Sequence, residues 1–320
     1  MKLSDIGGEF AFIDRVTGVS YDDAAIIRGV GDDCAVLAYT PERHLLLTTD
    51  MMVEGSHFST EWYTPFQIGR KLMEVNVSDI VSMGGTPRWA LISLALTPDT
   101  RVEFMDELYR GLYASAGAHG VALIGGDTTR GRQLVLNLTL AGDVEKHLVK
   151  LRSGARAGDR ICVTGTLGKS EAGLRLLLAG KKGYTDGYLE PRCRLAAEGR
   201  AIARYARAMI DVSDGLASEV GHICRESGAG ARVDRDAIPV SADTRDAALA
   251  LSSDPYEYAL YGGEDFELVF TISGKNIPEL KKDFSDFTEV GEILPREKGI
   301  NLYRVGNRVE MKKGYDHFSG

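Results

Sequence analysis

Leu45-Leu46-Leu47-Thr48-Thr49-Asp50-Met51-Met52 joins a short apolar run to two hydroxyls and a carboxylate. A run this short, bounded by polar residues, reads as a buried strand whose end carries polar groups. Downstream, Thr64-Pro65 offers an N-cap followed by proline at the first helical position. Ile68, Leu72, Val75 and Met83 then keep a helical stripe that stops near Gly84-Gly85. Strands are expected over 89–96, 121–124 and 134–141, with a helix over 103–118. Several strands per helix point to α+β architecture and not to strict βαβ alternation.

A basic, small-residue stretch (Lys146, Lys150, Arg152, Ser153, Gly154, Arg156, Gly158) separates this half from the next. The expected domains are 1–147 and 148–320, consistent with a 320-residue chain exceeding the usual size of a single core. The second half repeats the recipe: strands over 160–164, 209–212, 266–272, 287–292 and 300–305, helices over 170–179, 195–206 and 216–227, and a closing hairpin over 299–315.

The formal charge is −8, and no Lys/Arg block with interleaved aromatics appears, so a nucleic-acid partner is not expected. Four scattered cysteines with no C-x-x-C pair argue against a zinc cage or a disulfide framework. The first residues lack the apolar core of a signal peptide, and no run approaches the ~20 residues of a membrane helix. A cytoplasmic protein with no membrane association is expected.

The chemistry lies in aspartates set beside glycine or small polar residues. They occur in Gly31-Asp32-Asp33, Thr48-Thr49-Asp50, Asn76-Val77-Ser78-Asp79, Gly125-Gly126-Asp127-Thr128-Thr129 and Asp211-Val212-Ser213-Asp214-Gly215. One Asp-Gly pair is an ordinary turn. Five clusters after apolar strands fit a site where short carboxylates offer hard oxygens to Mg²⁺ and phosphate completes the coordination. Cations between carboxylates and phosphates also reconcile an acidic chain with an anionic substrate.

Asp79 shares a helical face with Leu72, Val75, Asn76 and Met83. An acid is unfavourable near a helix C-terminus unless a cation faces it; the plain alternative is a solvated helix end. Gly165-Thr166-Leu167-Gly168-Lys169-Ser170 imitates a P-loop but has two residues between its glycines where four are needed. It remains a strand-to-helix turn able to receive an anion. Serine-hydrolase, zinc-protease and dinucleotide fingerprints are missing.

The ordered set Gly-Asp-Asp, Thr-Thr-Asp, Asn-x-Ser-Asp, Gly-Gly-Asp-Thr-Thr, Asp-x-Ser-Asp-Gly and Gly-Gly-Glu-Asp resembles the aminoimidazole-ribonucleotide-synthetase superfamily. Within it, Glu54-Gly55-Ser56-His57-Phe58, Tyr261-Gly262-Gly263-Glu264-Asp265-Phe266-Glu267-Leu268 and Gly314-Tyr315-Asp316-His317-Phe318 resemble the thiamine-monophosphate kinases. The resemblance runs from about Gly7 to Phe318. It implies a two-domain α+β subunit, a homodimer paired through N-terminal sheets, and several Mg²⁺ ions holding ATP as co-substrate. Position by position it implies metal ligation by Asp33, Asp50, Asp79, Asp127 and Asp211, with Thr48, Thr49 and Asp214 assisting. Gly126, Asp127, Arg152 and Ser213 match ATP-contacting positions, with Tyr109 or Tyr113 as nucleotide candidates. His57, Glu264 and Phe318 match substrate positions.

The implied reaction is in-line transfer of the γ-phosphoryl group of ATP to the phosphate of thiamine monophosphate. That acceptor is already ionised near neutral pH, so no classical acid or base is assigned. Without the resemblance, Arg152 reads equally as a solvated linker arginine, His57 as a satisfied histidine beside Phe58, and Glu264 as a turn acid. The nearest alternative is another ATP-using enzyme of the superfamily, activating an amide or carboxyl oxygen. A metal-dependent phosphohydrolase and a Ca²⁺-binding scaffold fit less well, since histidine ligands are not clustered and the aspartates span Asp33 to Asp214.

Overall fold

A computed structural model of the chain describes residues 9–17 and 22–310. The first half contains α1 (Glu9–Val16), β1 (Ile26–Arg28), β2 (Ala35–Ala38), β3 (Arg43–Val53), α2 (Pro65–Ser82), β4 (Thr86–Leu96), α3 (Val102–His119), β5 (Ala122–Arg130) and β6 (Val135–Glu145). Its strands form one sheet in the order β1-β2-β3-β6-β4-β5, with only β4 and β5 parallel. The second half contains β7 (Arg160–Thr164), α4 (Lys169–Leu178), α5 (Asp186–Leu189), α6 (Ala196–Ala203), β8 (Ala206–Asp211), α7 (Leu216–Ser227), β9 (Ala229–Asp234), α8 (Ala242–Ala250), α9 (Pro255–Tyr261), β10 (Leu268–Ile272), α10 (Ile277–Asp283), β11 (Phe287–Pro295), β12 (Ile300–Arg304) and β13 (Asn307–Val309). Its sheet runs β13-β12-β9-β11-β7-β10-β8.

Helix α2 begins where the sequence predicts. Thr64 caps it, Gln67 returns the bond to the Thr64 backbone, and Pro65 occupies the first turn. It is buried nearly all round, because the first sheet, α3 and the C-terminal half each take one side of it. Its packing on α3 depends on two glycines. A Cβ on Gly69 would meet the Leu108 carbonyl at 1.9 Å, and one on Gly111 would meet the Phe66 carbonyl at 1.9 Å.

Alternation along β3 sends Leu46, Thr48 and Met52 inward while Thr49 and Met51 face outward. β10, flanked by β7 and β8 in the second sheet, is buried at all five positions and accordingly reads as the continuous run LVFTI.

Several boundaries differ from expectation. β5 continues through Gly125–Thr129, where a turn was expected, because these residues pair in register with Leu91–Ala95. The helix expected to reach residue 206 stops at Ala203, and β8 starts at Ala206 beside β10. The short strands β1 and β2, strand β9 and helices α8, α9 and α10 carry too little periodicity to be expected from sequence. Of the closing hairpin, β12 and β13 are observed, and its last residues lie outside those described. The halves are tied by a two-pronged Arg200–Glu145 pair, both contacts 2.6 Å.

Candidate active site

Four carboxylates converge beside the C-terminal part of α2. Asp33 comes from the loop before β2, Asp50 from β3, Asp79 from α2 itself, and Asp211 from the end of β8 in the other half. The helix supplies an anchor for each of the other three. Asn76 accepts the Asp50 backbone N–H (3.2 Å), Ser78 donates to Asp211 (2.5 Å), and Ser82 donates to Asp33. Asp79 receives Thr48 from the facing strand at 2.5 Å. Buried serines and an asparagine on a helix with so little exposed surface are explained by these bonds.

The cluster carries more negative charge than its one close cation, Arg152, offsets. Burial, followed by the charges of Asp50, Asp211 and Asp33, pushes the Asp79 carboxyl well above the usual range. Burial and the charge of Asp33 raise Asp211 to about 8, and burial raises Asp33 and Asp50 as well. Asp50 and Asp79 lie close enough that the charge of Asp50 is the leading electrostatic cause, after burial, of the rise at Asp79. Hard oxygen donors that repel one another in this way suit Mg²⁺, which takes few protein ligands and fills its shell with water and phosphate. Arg152 provides a partial counter-charge, donating to Asp33 Oδ1 through Nε (2.8 Å) and Nη2 (2.6 Å).

Next to the carboxylates a cleft of about 430 Å³ opens between the halves. Asp50, His57, Ser213, Asp214 and Glu264 give it polar walls, while Met52, Tyr188, Tyr261 and Phe266 give it apolar ones. His57 is held by a turn after β3, its Nδ1 accepting the Val53 N–H at 3.2 Å. Glu264 sits at φ 64°, a conformation that L residues adopt only under constraint. The constraint is visible: its N–H donates to the Ser213 carbonyl (2.9 Å), and its carboxylate meets the fully buried Lys71 Nζ at 2.8 Å.

Residues 31–144 match the N-terminal domain of the AIR synthase related proteins, and residues 156–301 match their C-terminal domain. The thiamine-monophosphate kinase of Aquifex aeolicus is 35% identical over 325 residues, spanning 99% of this chain and all of the relative. The chain belongs to the thiamine-monophosphate kinase family. The Salmonella typhimurium member is 38% identical, with 98% of each chain covered. Among solved structures, AaThiL complexed with AMPPCP and TMP superposes with a TM-score of 0.86 at 34% identity, covering 99% of both chains. The two-domain α+β subunit expected from the sequence is thereby established.

In this family member the remaining expected residues are distributed unequally. Ser213 and Asp214 reach the cleft, and the Asp214 N–H donates to the buried Glu219 at 2.9 Å. Thr49 does not join Thr48. It faces the opposite side of the sheet and bonds Asn137 and Thr139, because adjacent strand residues point to opposite faces. Asp127 and Gly126 lie on the edge strand β5, three strand spacings of about 4.8 Å from Asp50 through the pairs Leu138 and Ile92. Within one chain they stand apart from the cluster. Tyr109 and Tyr113 form a ring pair on α3 with centroids 6.1 Å apart, and neither lines the cleft. Phe318 lies outside the described residues.

The P-loop-like turn is also corrected. The start of α4 is taken by the chain's own Asp265, which accepts from Gly168 N (2.5 Å) and Ser170 N (3.2 Å), so no external anion is required there.

Sequence reasoning missed Lys71, Glu219 and the supporting trio Asn76, Ser78 and Ser82 as site residues. Lys71 left a faint signal, a cation spaced with Ile68 and Val75 on a buried stripe. Glu219 left none, since its partners come from the preceding turn and from Arg152, far away in sequence.

Proposed function

We propose that this chain transfers the γ-phosphoryl group of ATP to thiamine monophosphate, forming thiamine diphosphate and ADP. The observation that carries the reading is the meeting of Asp33, Asp50 and Asp79 with Asp211 from the other half, beside a cleft of substrate size. The full-length likeness to a relative complexed with AMPPCP and TMP supports the same pair of substrates.

Asp33, Asp50, Asp79 and Asp211 would hold magnesium, with Thr48 and Asp214 beside them. Bound there, Mg²⁺ supplies the positive charge that lets carboxylates and phosphates share one site. The chain's own groups then align the reactants. Arg152 exchanges Asp33 for phosphate oxygens as a two-pronged donor. His57 and Glu264 fix the substrate, with Glu264 pre-set by Lys71. Tyr188, Tyr261 and Phe266 offer apolar and aromatic surface to the substrate rings. Because the acceptor phosphate is ionised, alignment for in-line attack replaces a general base.

The open face of the first sheet supports a homodimer. Met51 is 55% exposed and Ile124 62% exposed, with Trp89 and Leu91 beside them. Thr49, Asn137, Ser93 and Asp127 share that face by register. A second copy seated there buries the apolar residues and gives Gly126 and Asp127 a role at the junction. Domains of 1–147 and 148–320 and a cytoplasmic setting belong to the same reading.

The test is a product assay with ATP, Mg²⁺ and thiamine monophosphate, read by oxidation to thiochrome and separation by charge. Thiamine diphosphate should appear in step with ADP and vanish in Asp79→Asn. ATP binding without product would retain the superfamily and reject the substrate.

A further inference from the structure

Away from the cleft, α2 turns a second polar group toward α3. Glu74, His119 and Cys193 bring a carboxylate oxygen, a ring nitrogen and a sulfur together, all within 4.8 Å of one another. His119 Nε2 faces both Glu74 oxygens at 3.3 Å, and Cys193 Sγ lies 3.9 Å from the same nitrogen. The three side chains are almost completely buried and come from three segments: α2, the last turn of α3, and the stretch between α5 and α6 in the other half.

Tetrahedral zinc with bonds of about 2.0–2.3 Å sets its nitrogen, oxygen and sulfur ligands roughly 3.3–3.7 Å apart. The carboxylate–imidazole separation of 3.3 Å falls in that range and the imidazole–sulfur separation of 3.9 Å lies just beyond it, with all three atoms within 4.8 Å of one another. The charges also balance: a divalent cation with one carboxylate, one thiolate and a neutral imidazole is net neutral, as a buried site requires. Ser115 Oγ donates to Glu74 Oε1 at 2.7 Å and the Cys193 N–H to Oε2 at 3.0 Å, so the carboxylate is oriented from outside the ligand set.

We propose that Glu74, His119 and Cys193 form a binding site for a borderline-soft divalent cation, Zn²⁺ by preference, with a fourth position left to water. The thiol gives up its proton on binding. Sulfur and imidazole select against Mg²⁺, so the site does not compete with the aspartate cluster for the catalytic ion. Ligands from α2, α3 and the 190–195 stretch would make the ion a staple between the two halves.

Co²⁺ is the probe, added to full-length, chelator-stripped protein. A thiolate-to-cobalt charge-transfer band saturating at one equivalent is expected, retained in Asp79→Asn and lost in Cys193→Ala. Zn²⁺ should abolish the band and raise the melting temperature of the wild type but not of Cys193→Ala. Ser115→Ala should weaken Zn²⁺ roughly 10–100-fold. If Cys193→Ala fails to fold, His119→Gln serves in its place. No charge-transfer band in the wild type, or a band that survives in Cys193→Ala or His119→Gln, overturns the proposal.

Discussion

Lys71 shows how much of this site is decided by single buried groups. Its ammonium is enclosed, pairs with Glu264, donates to the His57 carbonyl at 2.9 Å, and lies 4.8 Å from the Tyr188 ring centroid. One side chain thus holds two of the three expected substrate residues, His57 and Glu264. Removing a charged hydrogen bond of this kind costs about 1.5–3 kcal/mol. Lys71→Met should therefore raise KM for thiamine monophosphate roughly 10–100-fold, with a smaller change in kcat. Steady-state kinetics with the thiochrome readout checks this; an unchanged KM would show that Glu264 is positioned by its backbone alone. Asp79 carries the opposite lesson, a residue kept at the expense of stability. The aspartates titrate higher when folded than when unfolded, so without metal the folded chain holds more protons between about pH 4 and pH 8. Stability must then fall as pH rises through that window. Melting temperatures in chelator should be lower at pH 8 than at pH 5, Mg²⁺ should remove the difference, and Asp79→Asn should stabilise the metal-free protein at pH 8 while abolishing activity.

At the scale of elements, α2 organises both candidate centres, with aspartate anchors along its C-terminal part and Glu74 turned toward α3. Its N-terminus was legible because capping is local: Thr64, Pro65 and Gln67 are all the information needed. Its burial on every side was not, because the polar residues that interrupt the stripe are satisfied by β3, β8 and the loop before β2. The glycine contact with α3 was likewise silent in sequence, since Gly69 and Gly111 show their purpose only when the helices cross. Gly111→Ala places a methyl against the Phe66 carbonyl and should destabilise by about 3 kcal/mol. A lower urea midpoint at unchanged slope would report it.

For the whole molecule, the open sheet face leaves Met51, Trp89, Leu91 and Ile124 exposed among the described residues, and a second copy would cover them. Leu91 sits near its middle strand pair, 46% exposed, with Trp89 two residues away. Leu91→Asp should shift the mass measured by light scattering from dimer to monomer and reduce kinase activity. A monomeric wild type of full activity would remove the homodimer.

The sequence by itself determined which residue types are present and in what order, and that sufficed for the aspartate motifs, the helix starts and the α+β class. Capping, turn chemistry and hydrophobic period act over a few residues, so a linear reading captures them. Tertiary structure alone decided which aspartates meet. Asp50 reaches Asp79 and Thr49 does not reach Thr48, because side-chain direction alternates along a strand. Asp127 stands three strands away because sheet order is set by chain crossings. Asp265 fills the α4 terminus, and Lys71 finds Glu264 across 193 residues. Such partnerships arise from folding the two halves against each other, and no local pattern records them.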